Sequence, residues 1–207
     1  MPFLGVCARI RARLISLAAG AQGETQMKES YCPTMKGVPL SDLEPFWFEH
    51  PWTGALAGKK VLVVHPFSDT IQAQYAKRRS LFDDPEMLPD YDLITYRAIS
   101  SFAGIKTPYA TWFDALDKMC SDISKIDFDV ALIGCGAYGM SIGVFIKREL
   151  GRKALHLGGA SQLFFGIKGH RWEPVPRYAK LFNEHWTHPL ASDTITNKST
   201  IEGGAYW

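Results

Sequence analysis

Cysteine is scarce and unpatterned: Cys7, Cys32, Cys120 and Cys135 include no Cys-x-x-Cys pair. That argues against a thiolate metal site or a disulfide framework, and it fits reduced thiols in an intracellular, cytoplasmic protein. Long apolar runs are missing as well, none reaching the ~20 residues that a membrane-spanning helix needs. Neither sign of charge is in excess, since 23 Lys and Arg stand against 21 Asp and Glu with a net charge of +2. The basic residues are scattered, so the electrostatic stripe of a nucleic-acid binder is absent. No internal repeat or low-complexity run competes with a globular reading.

With 207 residues and 46% hydrophobic content, the chain can bury one core and carry appendages. Met1 to Gly20 has no acid, carries Arg9, Arg11 and Arg13, and runs into the small residues Leu17 to Ala21. Residues 1–21 therefore read as an organelle-targeting peptide or as an unstructured leader. Residues 1–37 read as a leader and linker without regular structure. Residues 38–58 form an arm in which Phe46, Trp47, Phe48 and Trp52 stand among Pro39, Pro45 and Pro51. Its aromatic faces either pack across the domain or offer a sugar-stacking platform.

Residues 59–172 alternate strand and helix with short connections, which predicts an α/β fold: a Rossmann-like parallel sheet of about four strands with helices on both faces. Strands are expected at Lys60–His65, Asp92–Tyr96, Val130–Ile133 and Lys153–Gly158. A helix capped by Ser68 follows the first strand. A second helix over Thr111–Ile126 opens on a Thr111/Asp114 capping box, and its apolar face is Trp112, Phe113, Leu116, Met119, Cys120 and Ile123. A third begins beyond Gly139, and a short apolar helix spans Ala160–Phe165. Residues 173–207 read as an extension packed on this domain, with one helix over Arg177–Trp186.

The sharpest signal is Phe128–Gly139, where an apolar run feeds a Gly-x-Gly-x-x-Gly turn at Gly134, Gly136 and Gly139. Strand, tight turn and helix make an anion cradle, because the first amides of a helix lack carbonyl partners. A dinucleotide site also needs an acid about 20 positions on, to hold a ribose hydroxyl. Leu150–Trp172 contains none, while Arg152, Lys153, Lys168 and Arg171 are basic. An NAD(P)-dependent oxidoreductase thus rests on the glycine pattern alone, and a purely structural turn is the plainer alternative.

If the strand order is 2-1-3-4, the topology reverses between the strand ending at His65 and the one ending at Gly134, where ligands of open parallel sheets bind. His65, Ser68 and Asp69 then face Gly134, Gly136, Tyr138 and Gly139, with His156, Gly158, Gly159, Ser161 and Gln162 at the next strand's end. Amides, hydroxyls and imidazoles suit a phosphorylated or sugar-like ligand. His65 and Asp69 are the candidate bases, although His65 could be a hydrogen-bonded structural residue and Asp69 a helix-dipole partner. His185 and His188 lack a third ligand at a recognisable spacing, so no metal residue is assigned. Cys135 lies in the turn without a paired base.

Four stretches carry a family resemblance: Gly58–Phe67, Asp129–Gly139, Leu155–Trp172 and the closing Glu202-Gly203-Gly204-Ala205-Tyr206-Trp207. They resemble uncharacterised bacterial proteins of polysaccharide-biosynthesis type, distantly similar to glycosyltransferases of the GT-D fold. The resemblance covers roughly Pro45 to Trp207. It implies transfer of a sugar from a nucleotide-sugar donor to a hydroxyl of a glycan acceptor, and a homo-oligomer is compatible with it. Donor phosphate would lie on the glycine turn, with Lys168 and Arg171 taking leaving-group charge. The family's acidic metal motif, Asp-x-Glu or Asp-Gly-Glu, precedes this region. At Gln22-Gly23-Glu24 the Asp is replaced, so no metal ligand carries over, and Mn or Mg would need ligands from a further N-terminal segment. The chain then resembles the C-terminal half of such an enzyme. A catalytically inactive nucleotide-binding or assembly module is the alternative from another class.

Overall fold

The computed structural model describes residues 40–101 and 105–207, together with residues 26, 29–31 and 33–34. Cys7, Cys32, the leader and Gln22-Gly23-Glu24 lie outside the described residues. The chain divides into two units, Met1–Leu43 and Glu44–Trp207. In the first, Leu40–Leu43 makes a single 3-10 turn.

The second unit is built on four strands, β1 (Lys60–His65), β2 (Asp92–Arg97), β3 (Val130–Ile133) and β4 (Lys153–His156). They form one parallel sheet in the order β2-β1-β3-β4. Composition explains the order. The unbroken runs Val61–Val64 and Val130–Ile133 are at most 4% exposed, as two-sided burial requires, whereas the mixed sequences of β2 and β4 occupy the edges. Each fully buried aliphatic side chain of this set contributes roughly 1.5–3 kcal/mol.

Three crossovers carry α1 (Ser68–Ala76), α2 (Trp112–Ile123) and α3 (Ala137–Arg148). Right-handed connections put α1 on one face and α2 with α3 on the other. The packing agrees: α2 lies against α3, and α1 lies against the 3-10 helix Gly158–Phe165. The α2 capping box forms as expected, and Ala115, Leu116, Met119, Cys120 and Ile123 are buried. Phe113 departs from the expected face, being exposed with its ring edge-on to Trp112. Cys120 and Cys135 are both buried.

Two local expectations need correction. Ser68 does not cap α1 with its side chain; Phe67 holds the cap position, and its carbonyl accepts from the Ile71 amide at 2.9 Å. The helix expected over Arg177–Trp186 is one turn, α4 (Pro176–Ala179). Asn183 explains the stop, because its Oδ1 accepts from the His185 amide (2.9 Å) while its Nδ2 donates to the Ser80 carbonyl (3.0 Å).

Of the arm's aromatic residues, Phe46, Trp47 and Trp52 pack within the second unit, while Phe48 is exposed. Phe46 stacks on Phe82 and meets Phe164 edge-on at 5.3 Å, and Trp52 also meets Phe164. Trp47 lies against Tyr178 with Arg177 over its face at 4.0 Å. Glu44 ties this group together, accepting from Trp47 Nε1 and from the Tyr178 hydroxyl. No helix among the described residues is long and apolar enough to cross a membrane.

Candidate functional site

Where β1 and β3 end side by side, the sheet opens into a cavity of about 290 Å³. The topological reversal puts it there: β1 leads away to β2 on one side, and β3 leads to β4 on the other. Its floor is His65, Pro66, Phe67 and Gly134–Gly136, and one wall is Gly159 and Gln162. A second cavity of about 420 Å³ adjoins it, sharing Pro66, Ala98–Ser100 and Trp207 and extending past Arg97 to Tyr109.

The three turn glycines have separate physical reasons. A Cβ on Gly134 would lie 2.0 Å from Ser161 Oγ and 2.6 Å from the His65 ring, so this glycine lets β1 and the 158–165 helix close together. On Gly139 it would strike the His156 imidazole at 2.3 Å, which presses α3 onto β4. Gly136 differs. It has φ 57° and ψ −133°, a conformation other residues avoid, and nothing lies within 4 Å of its missing Cβ. Its outer side faces open space at the start of α3, where free amides and the helix dipole favour an anion.

His65 is 3% exposed, and its Nδ1 accepts from the Phe67 amide at 3.0 Å, which puts the ring proton on Nε2. Burial pushes its pKa down to about 3, so the ring is neutral and weakly basic. Asp69 is not on the cavity wall. It pairs with Arg97 at 2.7 Å, and hydrogen bonds from Ser192 and then Arg97 hold its carboxyl below the usual carboxylate range. Tyr138 is buried instead of facing the crevice, stacked on Trp112 at 4.7 Å and bonded through its hydroxyl to Ser101. Burial raises the Cys135 thiol to about 12, which leaves it unreactive although it lines the cavity.

Of the other residues singled out in the sequence, Ser161 donates to the Gly158 carbonyl, and neither lines the cavity. Gln162 does line it, and its Nε2 faces the carbonyls of Ile167, Lys168 and Tyr206 at 3.1–3.3 Å. Lys168 stands away, its amide bound to the Thr187 carbonyl. Arg171 reaches the edge through Tyr206 and Glu202. His185 and His188 do not converge: His188 turns to Glu173, which also holds His170, while His185 lies 3.6 Å from Glu184. Among the described residues no three His, Cys, Asp or Glu side chains are arranged to hold a metal ion.

Sequence reasoning missed the far wall. Ala98–Ser100 after β2, and Ile201, Glu202, Tyr206 and Trp207, complete the cavity. The closing Gly-Gly-Ala-Tyr-Trp is what the second glycine pair receives: a Cβ on Gly159 would lie 2.3 Å from the Tyr206 ring. Trp207 is 5% exposed and packs edge-on against Phe67 at 5.4 Å. The only signal available was the cluster of aromatic and glycine residues itself, which shows no period.

No protein family, curated protein or solved structure matches the chain.

Proposed function

We propose that the protein is a glycosyltransferase-like domain that binds a nucleotide-sugar in the β1/β3 crevice, for transfer of the sugar to a hydroxyl of a glycan acceptor. The observation that carries this reading is Gly136, an unencumbered glycine at the mouth of a long helix and on the floor of a cavity at the topological reversal. Donor phosphate belongs at that turn. The aromatic wall of Phe67, Tyr206 and Trp207 suits a nucleoside or sugar face, and the adjoining cavity beside Arg97 gives an acceptor a separate entrance. Asp69 and His65 remain the named candidates for the base. Asp69 would have to release Arg97 to act, and His65 would have to work from a weakly basic ring.

That difficulty favours a second reading, a nucleotide-binding or assembly module without its own chemistry. Titration of UDP- and GDP-sugars, with and without manganese, separates the two when thermal stability and product release are followed together. Ligand at a hundred times Kd should stabilise the fold by about 2.7 kcal/mol. Turnover supports the transferase, and stabilisation without turnover supports the module. Gly136→Ala should weaken binding. Stabilisation by NAD(H) alone would overturn both readings.

A further inference from the structure

Glu202, Tyr206 and Arg171 meet at the solvent edge of the same crevice. Arg171 Nη1 donates to the Tyr206 hydroxyl at 2.9 Å and lies 3.3 Å from Glu202 Oε2, and the hydroxyl donates to the Glu202 carboxylate at 3.2 and 3.3 Å. Glu202 is the one acid among the residues that line the cavity. Its backbone is unusual as well. At φ 47° it is the sole non-glycine residue with positive φ among the described residues, and Gly203 (φ 68°) and Gly204 (φ 83°) follow it.

The two donors are fixed and the acceptor is not. The Tyr206 ring lies against Gly159 and edge-on to Trp172, and its carbonyl accepts from Gln162 Nε2. Arg171 stands over the Tyr206 and Trp172 rings at 5.4 and 5.6 Å, and its amide donates to the Ala205 carbonyl. Glu202, by contrast, sits on a glycine-rich turn in a conformation its side chain disfavours. Its side chain is 57% exposed and that of its partner Arg171 46%, so water screens the pair and little holds it.

We propose that Arg171 and the Tyr206 hydroxyl form an anion subsite for a ligand phosphate, and that the Glu202 carboxylate fills it as an internal stand-in. A phosphate carries more charge and three acceptor oxygens, so it satisfies the guanidinium fork and the phenol more fully than one carboxylate does. Glu202 then competes with the ligand and sets the threshold at which the crevice loads. The proposal deepens the nucleotide-sugar reading and rests on it for the ligand's identity.

The test titrates the full chain with inorganic pyrophosphate and with UDP, following heat and the side-chain Nε–H resonance of Arg171. Glu202→Gln should bind pyrophosphate about two- to fivefold more tightly, the worth of an exposed ion pair. Arg171→Met should weaken it about tenfold or more, and the Arg171 resonance should move with the same Kd as the heat. If UDP binds while Glu202→Gln changes neither affinity nor resonance, the subsite is wrong and the crevice reading stands. If UDP fails to bind but pyrophosphate shows the expected gain, the subsite stands and the nucleotide reading falls. If neither ligand gives heat or moves the resonance in either protein, both are overturned.

Discussion

His65 contributes to stability through what it declines to do, which is to take a proton. Its ring is buried, its Nδ1 is occupied by the Phe67 amide, and desolvation lowers its pKa from 6.5 to about 3. The unfolded chain therefore binds a proton below pH ~6.5 that the folded chain refuses until about pH 3. Stability is fully present above pH ~6.5 and falls as the pH drops, by about 1.4 kcal/mol per pH unit for each such group. His156, shifted in the same direction by burial, adds to the slope. His65→Asn keeps an acceptor near Nδ1 and removes the titration. Urea midpoints measured between pH 6 and 4.5 should then fall less steeply with acid than in the parent. An unchanged slope would mean that His65 already protonates within the fold.

At the scale of elements, the readable parts of the sequence are those whose cause is local. The unbroken apolar runs of β1 and β3 fix two central strands, and the mixed pattern of Asp92–Arg97 fits an edge. Thr111 and Asp114 announce the start of α2 correctly. The Thr111 hydroxyl accepts from the Asp114 amide at 3.2 Å, and the carboxylate accepts from the Thr111 amide at 2.8 Å. Thr111→Ala removes the hydroxyl and should lower stability by about 1 kcal/mol in equilibrium urea unfolding. Exchange of the first-turn amides of α2 should rise more than that of its last turn; a uniform rise would place the loss outside the cap. Where the deciding contact is distant, the local signal misleads. Ser68 looks like a cap, yet that end of α1 is held by a carboxylate from far along the chain, which binds the Thr70 amide. Arg177–Trp186 has helical composition, yet Asn183 finds partners on Ser80 and Leu81 and ends the helix early.

The same division runs through the whole molecule. The sheet side of the crevice was legible because strand order alone places His65 beside Gly134. The opposite wall was not, because residues 190–207 are held by single long-range contacts without periodicity. Asp193 is the chief of these. Its side chain is completely buried, Oδ2 accepts from the Thr70 amide (2.7 Å) and hydroxyl (2.6 Å), and Oδ1 lies 2.7 Å from Arg97 as an ion pair. Its carbonyl accepts from Trp207 Nε1 at 3.3 Å, and the Thr70 hydroxyl accepts from the Leu190 amide. One carboxylate thus pins the far wall to the first turn of α1. Asp193→Ala would leave the Thr70 amide and hydroxyl without that partner. The expected loss is about 3 kcal/mol, at the lower end for a broken buried pair because Arg97 is half-exposed and can return to water. Asp193→Asn keeps one acceptor and should lose about half as much. The sheet itself does not depend on this contact, since β1 and β3 are buried by their own helices. Hydrogen exchange should therefore accelerate across residues 187–207 while β1 and β3 keep their protection. Acceleration spread evenly over the strands would mean that wall and sheet unfold as one body, and that the crevice cannot open without the domain melting.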